Sequence, residues 1–189
     1  HLRFGKQKIR STYFITSADF VACHNPSYVD KYEMVEEVKP GGSFLLNCSW
    51  QGEELDEHLP ASMKRYMAQN NINFYTIDAT HIAKELGMGG RVNTILQAAF
   101  FKITEILPVD EAVRLMKEAA TKSYGRKGEK IVAMNHAAIE RGVDGVVKVE
   151  VPASWADAAD VVEEKVVEGD RPELVSFVKN ILNPINAQQ

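Results

Sequence analysis

The stretch GMGGRVNTILQAAFFKITEIL, residues 87–107, runs from a glycine cluster straight into a long apolar segment. From Arg91 on, apolar residues fall at Val92, Ile95, Leu96, Ala99, Ile103, Ile106 and Leu107. That is the 3.6-residue period of a buried helical face. Phe100 and Phe101 widen the face, so the helix is expected to meet core on more than one side. Gly87, Gly89 and Gly90 can take the positive φ angles that turn a chain sharply ahead of a helix. The first-turn amides of such a helix lack intrahelical partners and lie at the positive end of its dipole. With Arg91 and Asn93 beside them they can hold a phosphate or carboxylate. The alternative is that Gly89-Gly90 only lets two helices pack closely, since glycine-rich turns are common connectors.

Working back from that stretch, three apolar runs alternate with helical signals. Residues 18–24 (ADFVACH), 43–49 (SFLLNCS) and 72–79 (INFYTIDA) read as strands buried on both faces. After the first, Asn25 can cap and Pro26 can open a helix whose inner stripe is Tyr28, Tyr32, Val35 and Val38. Pro40-Gly41-Gly42 should stop it. A polar stretch over 50–59 leads to Pro60, which opens a helix carrying Met63, Tyr66 and Met67 on one side. Strand, helix, strand, helix, strand at this spacing predicts a right-handed parallel α/β unit. Sheets of this kind bind ligands at the carboxyl ends of their strands. Those ends are His24-Asn25, Asn47-Cys48-Ser49 and Asp78-Ala79-Thr80. His24 reads either as a general acid or base or as a structural hydrogen-bonding histidine. Asn47, between Leu46 and Cys48 in a buried strand, should face a ligand unless backbone groups satisfy it.

Downstream the pattern turns helical. Pro108 opens a helix running towards Gly125, with Asp110 and Glu111 favoured in its first turn by the dipole. A second helix is expected over 129–141, stopped at Gly142. Residues 146–151 (VVKVEV) alternate, as an edge strand or extended arm does. Residues 154–169 read as a mobile acidic segment, 172–182 as a last amphipathic helix, and the closing NPINAQQ as a linker. At the other end, residues 1–4 and 9–15 flank a candidate hairpin turn at Gly5-Lys6-Gln7-Lys8. The expected class is therefore α/β, a mostly parallel sheet flanked by helices with a helical C-terminal part. Residues 1–107 form its α/β core and 108–189 a helical extension within one domain.

The totals bound the function. A chain of 189 residues with 45% hydrophobic content fits one domain with a sizeable core. Net charge is −4, and no basic cluster longer than Lys6–Arg10 argues for a nucleic-acid surface. Cys23 and Cys48 sit inside apolar runs and read as reduced thiols of a cytosolic protein. No C-x-x-C is present, and the five histidines show no metal-ligand spacing, so neither an iron–sulfur cluster nor a zinc site is expected. No run of 18 apolar residues would span a membrane. Gly87-Met88-Gly89-Gly90 is a poor dinucleotide fingerprint, because no strand immediately precedes it.

The combination of HLRFG (1–5), KIRS (8–11), ADFVACHNPSYV (18–29) and the glycine-to-helix stretch through residue 101 closely resembles the single-chain pyruvate:ferredoxin (flavodoxin) oxidoreductases. It resembles their domain equivalent to the gamma subunit of multi-subunit 2-oxoacid oxidoreductases, and the likeness runs to the final NPINAQ. The resemblance implies an enzyme that decarboxylates pyruvate with thiamine diphosphate and magnesium and forms acetyl-coenzyme A. Its electrons pass through [4Fe-4S] clusters to ferredoxin or flavodoxin, and the whole enzyme is expected to be a cytoplasmic homodimer. The thiamine and cluster sites belong to other domains. The present domain is expected to bind neither, to pack against those domains, and to help hold coenzyme A. On this reading Gly89, Gly90, Arg91, Asn93, His24, Asn25 and Asn47 are the candidate binding residues, and no residue here is catalytic. The chain opens on a strand-like HLRF with no methionine and reads as cut from something larger. The resemblance implies a glycine-rich loop and first strands just upstream of HLRFG, so the chain is expected to lack them. A stand-alone nucleotide- or acyl-binding α/β module is the other class.

Overall fold

The structure is a computed structural model that describes residues 8–10, 15–160, 167 and 169–187. The hairpin expected at the start and part of the acidic segment, 161–166 and 168, lie outside these residues. The sheet is built from β1 (Ala18–Cys23), β2 (Val38–Asn47), β3 (Asn73–Ile77) and β4 (Val147–Val149), in that spatial order. The first three are parallel. β4 runs antiparallel to β3 and pairs Phe74 with Val149, so the alternating VVKVEV run becomes an edge strand. It comes from beyond residue 107 and still joins the sheet.

β2 decides the layering. Successive side chains of a strand point to opposite faces. Phe44 and Leu46 enter one core with Phe74, Leu55 of α1 (Glu53–His58), and Met63 and Met67 of α2 (Ala61–Gln69). Leu45 enters the other with Ile77, Ile82 of α3 (Ala79–Glu85), Ile95, Leu96 and Ala99 of α4 (Asn93–Thr104), and Ala138 of α6 (Glu129–Asp144). Helices thus cover both faces of the sheet. α4 also supplies Ala98 to a third, small cluster with Ala120 of α5 (Val109–Tyr124) and Ile139. The central helix therefore meets core on two sides, as its wide apolar face requires.

Several local expectations are corrected. Gly142 does not stop a helix but lies inside α6, which ends at Asp144 with Gly145 as its C-cap. α4 ends at Thr104, so Ile106 is exposed and not on its buried face. Residues Asn183–Ala187 of the expected linker are helical. The helix expected between β1 and β2 is instead two short 3₁₀ turns, Pro26–Tyr28 and Met34–Glu37. The intervening run is rich in Tyr and Val, which lose side-chain freedom in a helix, and Tyr28 is exposed rather than on an inner stripe. Pro40-Gly41-Gly42 does not stop a helix but lies inside β2. The register jumps there from Ala18↔Val38 to Phe20↔Ser43. A bulge is where a strand tolerates proline, and Gly41 at φ 76° supplies the turn. The acidic segment is anchored where it is described. Residues Ala153–Asp157 form a 3₁₀ turn that buries Trp155. The Trp155 indole donates to Asp56 Oδ1 at 2.7 Å, and Arg65 reaches across to Asp160 at 3.0 Å. The nearby Lys64 ammonium and the indole hold the Asp56 carboxyl below its usual range. A tryptophan in a polar stretch signals such an anchor better than net acidity signals mobility.

α4 and α6 approach closely at Gly142. A Cβ built there would lie 2.5 Å from the Ile95 carbonyl oxygen and 2.9 Å from Ala98 Cβ. Backbone stands in the way, so the pair must part to admit a methyl group. Gly142→Ala is expected to cost about 1–3 kcal/mol, the scale of overpacking. Gly90→Ala meets nothing within 4 Å and should stay within about 0.5 kcal/mol of the parent. Urea denaturation of the two variants checks the contrast; equal midpoints would show that the helices yield freely.

Candidate functional site: strand ends and the turn before α4

The connections after β2 and β3 leave the sheet on opposite faces, to α1 and α2 on one side and to α3 and α4 on the other. Adjacent strands that part in this way open a crevice at their carboxyl ends. Asn47 occupies that position and is buried. Its Nδ2 donates to the His24 carbonyl oxygen at 2.9 Å and approaches Thr80 Oγ1 at 3.4 Å. Its Oδ1 accepts the Ala79 backbone N–H at 2.9 Å. One carboxamide thus ties the ends of β1 and β2 to the first turn of α3. Backbone groups satisfy Asn47, the condition under which it has no need of a ligand.

The neighbouring strand-end residues are committed in similar ways. His24 gives its backbone carbonyl to Asn47, while its side chain is exposed. Asn25 Oδ1 accepts the Ser27 N–H at 3.1 Å and caps the first 3₁₀ turn. The Cys23 thiol donates to the Asn25 carbonyl at 3.0 Å. Asp78 caps α3 by accepting the His81 N–H at 2.8 Å. Past β2, the Trp50 ring stacks on His58 with centroids 4.5 Å apart.

Both thiols are buried. Burial pushes the Cys23 pKa up, and pushes Cys48 up to about 11. Neighbouring Asp78 adds to the rise at Cys48, while a backbone hydrogen bond from Trp50 opposes it. A [4Fe-4S] cluster takes four thiolates, so two protonated, buried thiols do not fit one. Among the described residues no three His, Cys, Asp or Glu side chains gather as metal ligands.

The glycine cluster has two jobs. Gly87, at φ 73°, ends α3: its N–H bonds to the Lys84 carbonyl at 3.0 Å, and the Met88 N–H to the Ala83 carbonyl at 2.8 Å. These are the paired bonds of a Schellman motif, with Met88 buried as its apolar contact. Gly89, at φ 63°, then turns the chain towards α4. A Cβ at Gly89 or Gly90 would meet nothing within 4 Å, so close helix packing does not explain these two glycines. α4 begins after Val92, which offers its first turn no side-chain cap. Asn93 follows at its first position, exposed.

Arg91 is exposed and forms no ion pair among the described residues. The acids nearest in sequence are engaged. Glu85 pairs with Arg141 at 2.6 Å and with His81 at 3.3 Å, and its carboxyl is held below the usual range chiefly by the Arg141 hydrogen bond. The structure therefore brings His24, Asn25 and Asn47 together at the strand ends and keeps Gly89, Gly90, Arg91 and Asn93 together at the α4 turn. No hydrogen bond or ion pair among the described residues joins the two groups.

These features define an α/β domain with helices on both faces of a mostly parallel sheet. The chain belongs to the pyruvate ferredoxin/flavodoxin oxidoreductase family, whose sequence profile matches residues 1–145. It is 52% identical over 187 residues to the pyruvate:ferredoxin oxidoreductase of Moorella thermoacetica, covering 99% of this chain and 16% of that protein. It is 50% identical over 189 residues to the pyruvate-flavodoxin oxidoreductase of Enterobacter agglomerans, covering 100% of this chain and 16% of the relative. Among solved structures, the pyruvate oxidoreductase subunit PORC of Thermotoga maritima superposes with a TM-score of 0.57. That match spans 72% of this chain and 67% of the subunit at 20% identity, a likeness of fold. The chain spans only 16% of the length of the curated relatives named. Among the described residues no helix is long and apolar enough to cross a membrane.

Two outcomes test the strand-end account. Asn47→Leu should strand the Ala79 N–H and destabilise by about 1–3 kcal/mol, the cost of a buried unpaired polar group, as read by urea unfolding. The raised Cys48 pKa means that the folded state keeps a proton the unfolded chain gives up. Stability should be whole below pH 9 and fall as pH rises from there through about 11. Cys48→Ala should flatten that fall in melting scans at stepped pH; an unchanged slope would place its cause elsewhere.

Proposed function

We propose that this chain is one domain, residues 1–189, of a larger cytoplasmic enzyme that oxidatively decarboxylates pyruvate to acetyl-coenzyme A and carbon dioxide. The domain's part is to pack beside the other domains and to help hold coenzyme A at the turn before α4. What supports the activity is the family membership together with 50% identity that runs through the whole chain. By family resemblance the other domains carry thiamine diphosphate, magnesium and the [4Fe-4S] clusters, deliver electrons to ferredoxin or flavodoxin, and assemble as a homodimer. Thiamine diphosphate supplies the carbanion chemistry of decarboxylation when bound.

The observation that carries the binding role is Arg91. It is a cation with no ion pair among the described residues, set two residues before the first residue of a helix whose N-cap, Val92, offers no side-chain cap. Coenzyme A brings a pyrophosphate and a 3′-phosphate. Arg91 can meet one of them with charge-assisted hydrogen bonds while the Asn93 amide adds a neutral donor. Gly89 and Gly90 leave the approach to the backbone open, since nothing lies within 4 Å of either Cβ position. His24 and Asn25 would line the neighbouring strand-end crevice, with Asn47 holding its floor.

Steady-state kinetics on the intact enzyme test this. Arg91→Ala is expected to raise KM for coenzyme A about tenfold, equivalent to ~1.4 kcal/mol. Melting temperature and coenzyme A-independent decarboxylation of pyruvate should stay near the parent values. A lowered melting temperature with an unchanged KM would make Arg91 a structural anchor and remove the binding role.

A further inference from the structure

The C-terminal helix leaves an apolar stripe uncovered. It runs through α7 (Pro172–Phe177), a π-helical turn (Val178–Leu182) and α8 (Asn183–Ala187). Along it Leu174, Phe177, Ile181, Leu182 and Ile185 are exposed at 48%, 48%, 46%, 39% and 65%. Among the described residues, none of this helix enters the core clusters. The π turn has a local cause. Pro184 has no N–H to offer the Asn180 carbonyl, and a widened turn absorbs the missing bond. That turn takes an extra residue, so Ile181 and Leu182 lie either side of one line, one turn beyond Phe177.

We propose that this stripe docks into an apolar groove on another domain of the same polypeptide, so that the helix is the arm that fixes this domain to its neighbour. The proposal rests on the reading that the chain is one domain of a larger oxidoreductase. A run of large apolar side chains in water marks a binding surface. Residues 174–185 make fewer than two heptads, too short for two copies of the helix to pair stably by themselves in water. A groove on a folded body contacts such a helix from more sides. The occupant follows from chain length. The match to the Enterobacter agglomerans relative includes this helix and covers 16% of that polypeptide. Further domains tethered to the arm present their surfaces at an effective concentration on the order of millimolar.

Limited trypsin digestion of the full polypeptide reads the docking directly, because Lys179 lies within the stripe's length. Docked, the bond after Lys179 should be cut slowly. The double change Phe177→Asp/Ile181→Asp should speed that cut by about tenfold or more, since cleavage follows the population of the opened state. Leu174→Asp/Ile185→Asp should act in the same direction. Ser176→Asp lies about 200° round the helix from Leu174 and should leave the rate unchanged. A parent enzyme cut rapidly after Lys179, or one in which neither double change alters the rate, overturns the proposal. Pyruvate-dependent reduction of an electron-accepting dye is measured on the same preparations. A protected but inactive parent sinks the proposed activity and leaves the docking standing; an active parent with Lys179 unprotected does the reverse.

Discussion

The structure depends on β2 being buried on both faces. Phe44, Leu45 and Leu46 are each almost wholly withdrawn from water, and full burial of such side chains stabilises by about 1.5–3 kcal/mol apiece. Their alternation forces helices onto both sides of the sheet. α2 then supplies one layer, and α3, α4 and α6 the other. Because the crossovers leave β2 and β3 towards opposite faces, the strand ends part. A buried polar group is needed there to hold them in register. Asn47 fills that need with three hydrogen-bond partners, two of them backbone. Among the described residues no buried side-chain polar atom lacks a partner, so the sheet end is closed electrostatically as well as sterically.

This arrangement divides the candidate residues by what they have left to give. At the strand ends, Asn47 and the Asn25 side-chain oxygen already serve the fold. At the turn before α4, Gly87 is spent on stopping α3, whereas among the described residues nothing lies near a Cβ placed at Gly89 or Gly90 and no side chain pairs with Arg91 or Asn93. A cation beside open helix amides is a different object from a cation in an ion pair. The distinction turns on Glu85 and Asp78, which are held by Arg141 and by the start of α3. Had either acid been free, Arg91 would have had a structural partner close in sequence.

The strands and the long helices were legible because their apolar periods are strong. Residues 18–24, 43–49 and 72–79 each contain the observed strand or its core, and helices start where expected after Pro60, Arg91, Pro108 and Gly128. Two of their ends differ: α4 stops at Thr104, short of Ile106 and Leu107, and α6 runs through Gly142 to Asp144. What escaped reading was decided by tertiary context. α1 and α3 are single short helices whose buried residues, Leu55 and Ile82 among them, are too few to show a period. Pro40-Gly41-Gly42 reads equally as a helix stop or a bulge, and only pairing with Ala18 and Phe20 selects the bulge. The anchoring of Trp155 depends on Asp56, 99 residues away. At the site, the sequence singles out Asn47 and Arg91 alike as polar residues in telling places. Only the structure shows that the first is satisfied and that the second forms no ion pair among the described residues.

The central claim is that the turn before α4, and not the strand-end tie, faces coenzyme A in the intact enzyme. Photolabelling with a coenzyme A analogue that carries a photoreactive group beside its phosphates tests it most directly. After tryptic digestion the account places the adduct in the peptides ending at Arg91 and Lys102, with labelling suppressed by excess coenzyme A. Competable labelling confined to the peptide 32–64, which carries Asn47, or to other parts of the polypeptide, would contradict it.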